Sequence, residues 1–318
     1  MPPARDAAQG RGADGRRPHA WVAGGGPVGA ARGGTAGAVP AAPGGPGGDS
    51  GVLRAGAAGD TAPVTTAAHP YFDHPRPLAF AHRGGAAEGL ENSRSAFARA
   101  VDLGYRYLET DVHATADGAL VAFHDDTLDR VTDGRGRIAD LPWSAVAAAR
   151  VGGREPVPLF ADLLREFPHT RWNIDVKADA AVEPLLRVLR EQDAWDRVCV
   201  GSFDERRVVR ARGLAGARLA TSLGTCGVLA LRLRSWRLPA PVRPSALAAQ
   251  VPRRHGPVPV ADRAFVRTAH RLGLQVHVWT VNDAAHMREL LDLGVDGIMT
   301  DRLELLREVL AERGAWTG

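Results

Sequence analysis

From Pro77 onward the chain repeats one pattern, a short apolar run followed by an amphipathic stretch. The apolar runs are Leu78–His82, Tyr107–Val112, Trp172–Val176, Val198–Ser202, Leu219–Ser222, Leu247–Val251, Val276–Thr280 and Gly297–Thr300. Such short runs read as strands buried on both faces. Between them lie Ser93–Leu103, Leu159–Phe167, Val182–Glu191, Glu205–Arg212, Val228–Trp236, Ala261–Leu272, Ala284–Leu293 and Leu303–Arg313. Several of these place apolar residues at helical spacing, as Leu185, Val188 and Leu189 do. A strand–helix unit used eight times predicts an α/β fold, the closed (β/α)8 TIM barrel. An open doubly wound sheet is the alternative, but eight is the number at which closure is natural.

One segment breaks the alternation. Only the turn around Asp117-Gly118 separates the second strand from the apolar run Leu120–Phe123. A parallel crossover needs roughly a dozen residues, so this pair should be an antiparallel hairpin. Ala114–Pro158 is therefore expected to be an insertion after the second strand, on the catalytic side of the barrel.

Residues 1–72 follow different rules. Of the 37 glycines, 17 fall in the first 60 residues, interleaved with Pro and Ala and without apolar periodicity. Such a segment cannot bury enough apolar surface to offset its chain entropy, and it is expected to be a disordered tail. The barrel domain is then 73–318. No apolar run approaches the ~20 residues of a membrane span, and the short Ala20–Ala23 run is too brief for a secretory signal. A cytoplasmic location is the default expectation. Cys199 lies in an apolar run, Cys226 has no activating neighbour, and neither is assigned chemistry. The net charge is only +4 despite the high pI. The excess of Arg, Ala and Gly reads as coding bias, which argues against a nucleic-acid surface. Against that bias, the one lysine, Lys177, and the three asparagines, Asn92, Asn173 and Asn282, stand out.

In a (β/α)8 barrel the active site is built at the C-terminal ends of the strands. Those ends carry His82-Arg83-Gly84, Glu109 and Asp111, Asp175 and Lys177, Ser202-Phe203, Gln250, Trp279 and Asp301; the insertion adds His124-Asp125. Glu109 and Asp111 are two apart on one strand and so share a face. Two carboxylates held together repel unless a proton or a cation lies between them. With Asp175 on the next barrel strand they suit a hard cation, Mg²⁺ or Ca²⁺, better than zinc. The bland reading is an ion-pair cluster with nearby arginines. Arg83 and Lys177 match phosphate oxygens, and two imidazoles, His82 and His124, can divide acid and base duties. The residues alone thus point to metal-assisted phosphoryl chemistry.

The ordered string His82-Arg83-Gly84, Glu91-Asn92-Ser93, Glu109-Thr110-Asp111, Asp117-Gly118 and His124-Asp125 resembles the glycerophosphodiester phosphodiesterase family. Asp175-Val176-Lys177, Ser202-Phe203, Val278–Asn282 and Gly294–Asp301 continue the match, which runs from about Leu78 to about Val309. The resemblance implies a barrel of the phospholipase C-like phosphodiesterase type with a small insertion. It implies His82 and His124 as the acid/base pair, and Glu109, Asp111 and Asp175 as ligands of the divalent cation. It further implies Arg83 and Lys177 on the phosphate of a small glycerophosphodiester, released as sn-glycerol 3-phosphate and an alcohol. Asp175 departs from the family, which often has Glu there, so the metal shifts or a water bridges.

The remaining candidates have plainer alternatives. Trp279 and Phe203 stack on substrate or simply pack, with Phe203 leaning toward packing; Gln250 reaches substrate hydroxyls or stays structural. Asp125 orients His124 or caps a turn. Asn92 is expected to cap the following helix. Thr225–His255 carries six arginines and no acid, either a solvated helix face with a loop or a basic lip that meets anionic substrate or a membrane surface. The last would admit lysophospholipids and a phospholipase D-like activity. A catalytically silent phosphate-binding barrel is the reading from outside enzymology.

Overall fold

The computed structural model describes residues 69–86, 89–242 and 246–317. The expected tail up to residue 68 lies outside the described residues.

The strands and helices come in the expected order. They are β1 (Leu78–Ala81), α1 (Arg94–Asp102), β2 (Tyr107–Ala114), β3 (Leu120–Ala122), α2 (Trp143–Ala148), β4 (Arg150–Val151), β5 (Glu155–Pro156), α3 (Phe160–Glu166), β6 (Arg171–Val176) and α4 (Val182–Glu191). There follow β7 (Val198–Gly201), α5 (Glu205–Ala215), β8 (Ala220–Thr221), α6 (Thr225–Ser235), β9 (Ala248–Pro252), β10 (Arg254–His255), β11 (Val258–Pro259), α7 (Arg263–Arg271), β12 (Gln275–Trp279), α8 (Ala284–Leu293), β13 (Gly297–Thr300) and α9 (Leu303–Glu312).

Eight of these strands pair in parallel in the order β8-β7-β6-β2-β1-β13-β12-β9. The circle closes where Ser222 bridges Ala248. There Leu223 N–H donates to the Ala248 carbonyl at 2.8 Å, and Leu247 N–H to that of Thr221 at 2.8 Å. Short strands suffice because each is hydrogen-bonded on both edges and leaves no edge for another chain to pair with. Four helices, α1, α5, α7 and α8, start on residues that satisfy a free N–H group: Ser93, Asp204, Asp262 and Asp283 each accept from a backbone N–H of the first turn.

Alternation along each strand divides the core in two. Outward residues such as Leu108, Ile174, Val200, Val278 and Ile298 pack against Phe97, Leu163, Leu185, Phe265 and Leu306. Inward residues, among them Leu78, Phe80, Tyr107, Cys199 and Met299, fill the barrel itself together with Tyr71. Tyr71 is fully buried, stands edge-on to Tyr107 at 5.4 Å and takes the Tyr107 hydroxyl proton on its carbonyl at 2.6 Å. The domain therefore starts a few residues before the expected boundary at residue 73. An aromatic pair, Tyr71-Phe72, ends the Gly/Pro/Ala regime and stops up the barrel near the N-terminal ends of β1 and β2.

The insertion after β2 is present. β2 continues to Ala114 because β3 pairs with it antiparallel, Val112 opposite Ala122 and Ala114 opposite Leu120. Beyond β3 the insertion has a core of its own, in which Val121, Phe123, Leu128, Ile138, Val146 and Val151 are all buried. Among the described residues no helix is long and apolar enough to cross a membrane.

Candidate active site

One parallel ladder places the acids. Asp111 on β2 is the register partner of Asp175 on β6, and Glu109 that of Asn173. Lys177, just past β6, reaches back between the two aspartates, with Nζ 2.9 Å from Asp111 Oδ1 and 2.7 Å from Asp175 Oδ2. Burial opposes the lysine's charge, but Asp175 and Asp111 outweigh it and hold the ammonium firmly protonated. Asp111 has a second cation: Arg83 Nε lies 3.2 Å from its Oδ2. Burial works against the charged form here too, yet Lys177 and Arg83 keep Asp111 well below the usual carboxylate range. Glu109 is less compensated. Burial and the Asp111 charge push its carboxyl up to about 7, against the pull of His82 and Arg83.

The β1 end is shaped by its backbone. Arg83 adopts φ 51°, a left-handed conformation costly for a side-chain residue, and Gly84 and Gly85 follow at φ 78° and 92°. A Cβ on Gly84 would meet Ala96 at 2.9 Å, so glycine lets α1 approach. The turn aims Arg83 N–H at Glu109 Oε2, 3.0 Å away. It leaves His82 Nε2 3.9 Å from the same carboxylate oxygen. His82 donates from Nδ1 to Asp301 Oδ1 at 2.7 Å, and Asn282 steadies Asp301 by donating to its Oδ2 at 2.7 Å and accepting its backbone N–H at 2.9 Å. Burial disfavours a charged His82, but Glu109 and Asp301 prevail and its pKa is raised.

His124 comes from the insertion. Phe123 N–H donates to the Asp111 carbonyl at 2.9 Å, which lays the segment beside β2, and His113 donates from Nε2 to the His124 carbonyl at 3.1 Å. His124 Nδ1 donates to Asp125 Oδ1 at 2.6 Å, so Asp125 orients it. Burial, helped by Lys177 and Arg83, lowers the His124 pKa despite Asp111. Arg130 then joins insertion to barrel. It holds Asp125 through Nε at 2.6 Å and an Nη at 3.0 Å, and Glu91 through both Nη atoms at 3.1 and 2.7 Å. Glu91 in turn accepts from Arg83 at 3.0 Å.

The structure thus brings His82, Arg83, Glu109, Asp111, Asp175 and Lys177 into one cluster, with His124 tied to it through Asp125, Arg130 and Glu91. Three expectations change. Gln250 turns to Asn173, the register partner of Glu109: its Nε2 donates to Asn173 Oδ1 at 2.6 Å, which supports the structural alternative for its amide nitrogen. Phe203 is not packing, being 57% exposed, edge-on to Trp279 at 5.5 Å and 5.6 Å from Lys177 Nζ. Asn92 does not cap α1; Ser93 does. Asn92 instead sits buried at φ 56°, accepts from Thr110 Oγ1 at 2.7 Å and donates to Asp111 Oδ2 at 3.2 Å. Among the described residues no group of three or more His, Cys, Asp or Glu is already gathered as a metal needs, since Asp111 and Asp175 close onto Lys177.

Sequence reasoning also missed partners. Asp301 and Glu91 lie within the family-like motifs, where the residue string gives them no role of their own. Arg130 carried no signal at all.

The model of the glycerophosphoryl diester phosphodiesterase family matches residues 82–305. The chain belongs to that family. A probable glycerophosphodiester phosphodiesterase of Mycobacterium tuberculosis is 42% identical over 257 residues, covering 78% of this chain and 96% of the relative. A human lysophospholipase D is 28% identical over 72% of this chain and 84% of its own length. Among solved structures, a glycerophosphoryl diester phosphodiesterase from Silicibacter pomeroyi superposes with a TM-score of 0.67 at 22% identity, covering 79% of this chain and all of the other. An Oleispira antarctica phosphodiesterase holding sn-glycerol-3-phosphate superposes at 0.63 with 20% identity, over 74% of this chain and 97% of the other. Membership makes the chain a phosphoric diester hydrolase, and the (β/α)8 fold is that of its structural relatives.

Proposed function

We propose that this phosphodiesterase hydrolyses glycerophosphodiesters to sn-glycerol 3-phosphate and an alcohol, with His82 and His124 as acid and base and a divalent cation at the carboxylates. One observation carries the reading. Arg83 and Lys177 both converge on buried Asp111, beside a histidine set against Glu109. Cations gathered at one point of a barrel mouth suit a phosphodiester anion. Cleavage takes a proton from the attacking oxygen and gives one to the departing alkoxide. Each imidazole has Nδ1 committed to a carboxylate, which fixes the ring and leaves Nε2 for that proton traffic.

The residues present fit a hard cation. Burial and Asp111 disfavour the Glu109 charge, which a cation would offset, and Asp175 Oδ1 is buried with no hydrogen-bond partner among the described residues. Glu109, Asp111 and Asp175 would hold Mg²⁺ or Ca²⁺, which when bound supplies positive charge to the phosphoryl oxygens. Arg83 and Lys177 orient the phosphate, and Trp279 with exposed Phe203 borders the space beside it.

The test is release of glycerol 3-phosphate from glycerophosphocholine and glycerophosphoglycerol, after chelation and then with Mg²⁺, Ca²⁺ or Mn²⁺ restored. Full activity in EDTA refutes the metal. Choline release from lysophosphatidylcholine, with the water-soluble diesters inert, replaces this reading by a lysophospholipase D. Binding without turnover of any diester makes the barrel a silent receptor.

A further inference from the structure

Between Glu205 and Asp262 the chain contains no Asp or Glu, but eleven arginines. The structure adds an independent observation about the same stretch. Every large apolar side chain that stands exposed among the described residues lies in 203–258: Phe203, Val209, Leu214, Leu229, Trp236, Leu238 and Val258. Elsewhere the barrel hides such residues.

Most of the described arginines here are tied down. Arg206, Arg207 and Arg210 reach Asp204, Asp179 and Glu183, Arg218 lies over Trp195, and Arg253 reaches Glu289. Arg232 is buried, pairs with Asp262 at 2.8 Å and lies 4.4 Å from the Trp236 ring centre. It holds that indole in place with its other side outward. Arg234 and Arg237 are exposed and have no carboxylate partner among the described residues. On α6 and its C-cap, Cys226, Leu229, Leu233 and Trp236 follow at helical spacing, so the outer face is an apolar stripe beside two guanidinium groups with no carboxylate partner among the described residues. α5 packs alongside α6 and adds Val209 and Leu214. The α6 end nearest the mouth joins the rim, where Thr225 Oγ1 donates to the Phe203 carbonyl at 2.7 Å.

We propose that the α5–α6 side of the barrel is a docking surface for an anionic lipid bilayer. Tryptophan and leucine between unpaired arginines are the side chains that settle at the headgroup level, with the cations on lipid phosphates. A second copy of the chain is the poorer occupant. A two-fold contact centred on α6 would set Arg234 and Arg237 against their own copies, with no carboxylate on that helix to separate them. The docking is independent of what the active site hydrolyses.

The experiment is co-sedimentation of the full chain with vesicles of phosphatidylcholine alone or with a third phosphatidylglycerol, at low and high salt. Binding is expected to the anionic vesicles, weakening as salt rises. Arg234→Glu with Arg237→Glu should lower it at least about tenfold. Leu229→Ser with Leu238→Ser should also weaken it, both pairs keeping wild-type circular dichroism and turnover of a soluble diester. Binding that survives the double charge reversal unchanged would place the contact elsewhere and overturn the proposal. So would binding to neither vesicle, or a concentration-dependent dimer that Leu229→Ser with Leu238→Ser dissolves.

Discussion

The two histidines of the site stand on different kinds of structure. His82 directly follows a barrel strand that pairs with β13 over all four of its residues and with β2 at Phe80 and Ala81. His124 belongs to an insertion with a separate small core, joined to the barrel by the β2–β3 hairpin and by side chains, Arg130 foremost. A backbone ladder positions the acids of β2 and β6, whereas an exposed four-bond arginine fork positions the insertion's imidazole. The barrel can thus keep its fold while the insertion changes, and catalysis should be easiest to damage through the insertion without unfolding anything.

The largest effect will come from the imidazoles themselves. His82→Ala and His124→Ala should each lower kcat by about 10²–10⁴-fold, the range for losing a positioned acid or base, with the thermal midpoint nearly unchanged. Comparable losses would make barrel and insertion equal partners in the reaction. A near-wild-type rate for His124→Ala alone would reduce the insertion to a wall of the site.

Packing sharpens the contrast. Ile138 is fully buried in the insertion core and Leu189 in the main core. Truncation of either to Ala should cost about 2–5 kcal/mol. The barrel variant should lower the global melting midpoint. The insertion variant should leave that midpoint close to wild type, but expose 114–158 to protease and depress turnover. If both shift the midpoint equally, insertion and barrel unfold as one unit and the distinction fails.

How much of this was legible follows the same division. The barrel's acids could be read because strand geometry forces residues two apart onto one face, as with Glu109 and Asp111. The scarce residue types were a further guide. Lys177 bridges two aspartates, Asn92 holds Asp111, and Asn282 holds Asp301. What could not be read was where side chains without a period would turn. Asn and Ser cap helices about equally well, and the left-handed backbone at Asn92 leaves no trace in a residue string. Gln250 sits at a strand end like a ligand, but its amide nitrogen is taken by Asn173. Arg130 was hidden among so many other arginines, on a segment with no regular element to predict its direction.

Arg130 is therefore the direct test of the joint. Arg130→Gln should lower kcat by roughly 10- to 100-fold, since small misplacement of a catalytic group has that effect, with little change in KM or melting midpoint. Arg130→Lys should rescue poorly, because one ammonium cannot make the paired bonds to both Asp125 and Glu91. A Lys variant as active as wild type would show that charge alone suffices.

Acid should loosen the two regions in sequence, the barrel first. His277 is fully buried and neutral in the barrel, donating from Nε2 to Gln275 Oε1 at 3.0 Å, and burial drives its pKa down to about 4. The unfolded chain binds a proton near pH 6.5 that the folded chain refuses until about pH 4. The contribution of neutral His277 is therefore whole above pH 6.5 and falls between those values, by up to about 3 kcal/mol. The Asp125–Arg130 tie is lost in the same direction, but at lower pH. Burial opposes the Asp125 charge, but Arg130 and His124 hold its carboxyl down to about 2, so its contribution persists to pH 4 and fades only as pH drops toward 2. From pH 7 to 5 the denaturant midpoint of the wild type should fall relative to that of His277→Gln, whereas Asp125→Asn should run parallel to the wild type over that window. A slope that His277→Gln fails to reduce would move the barrel's acid sensitivity to another buried group.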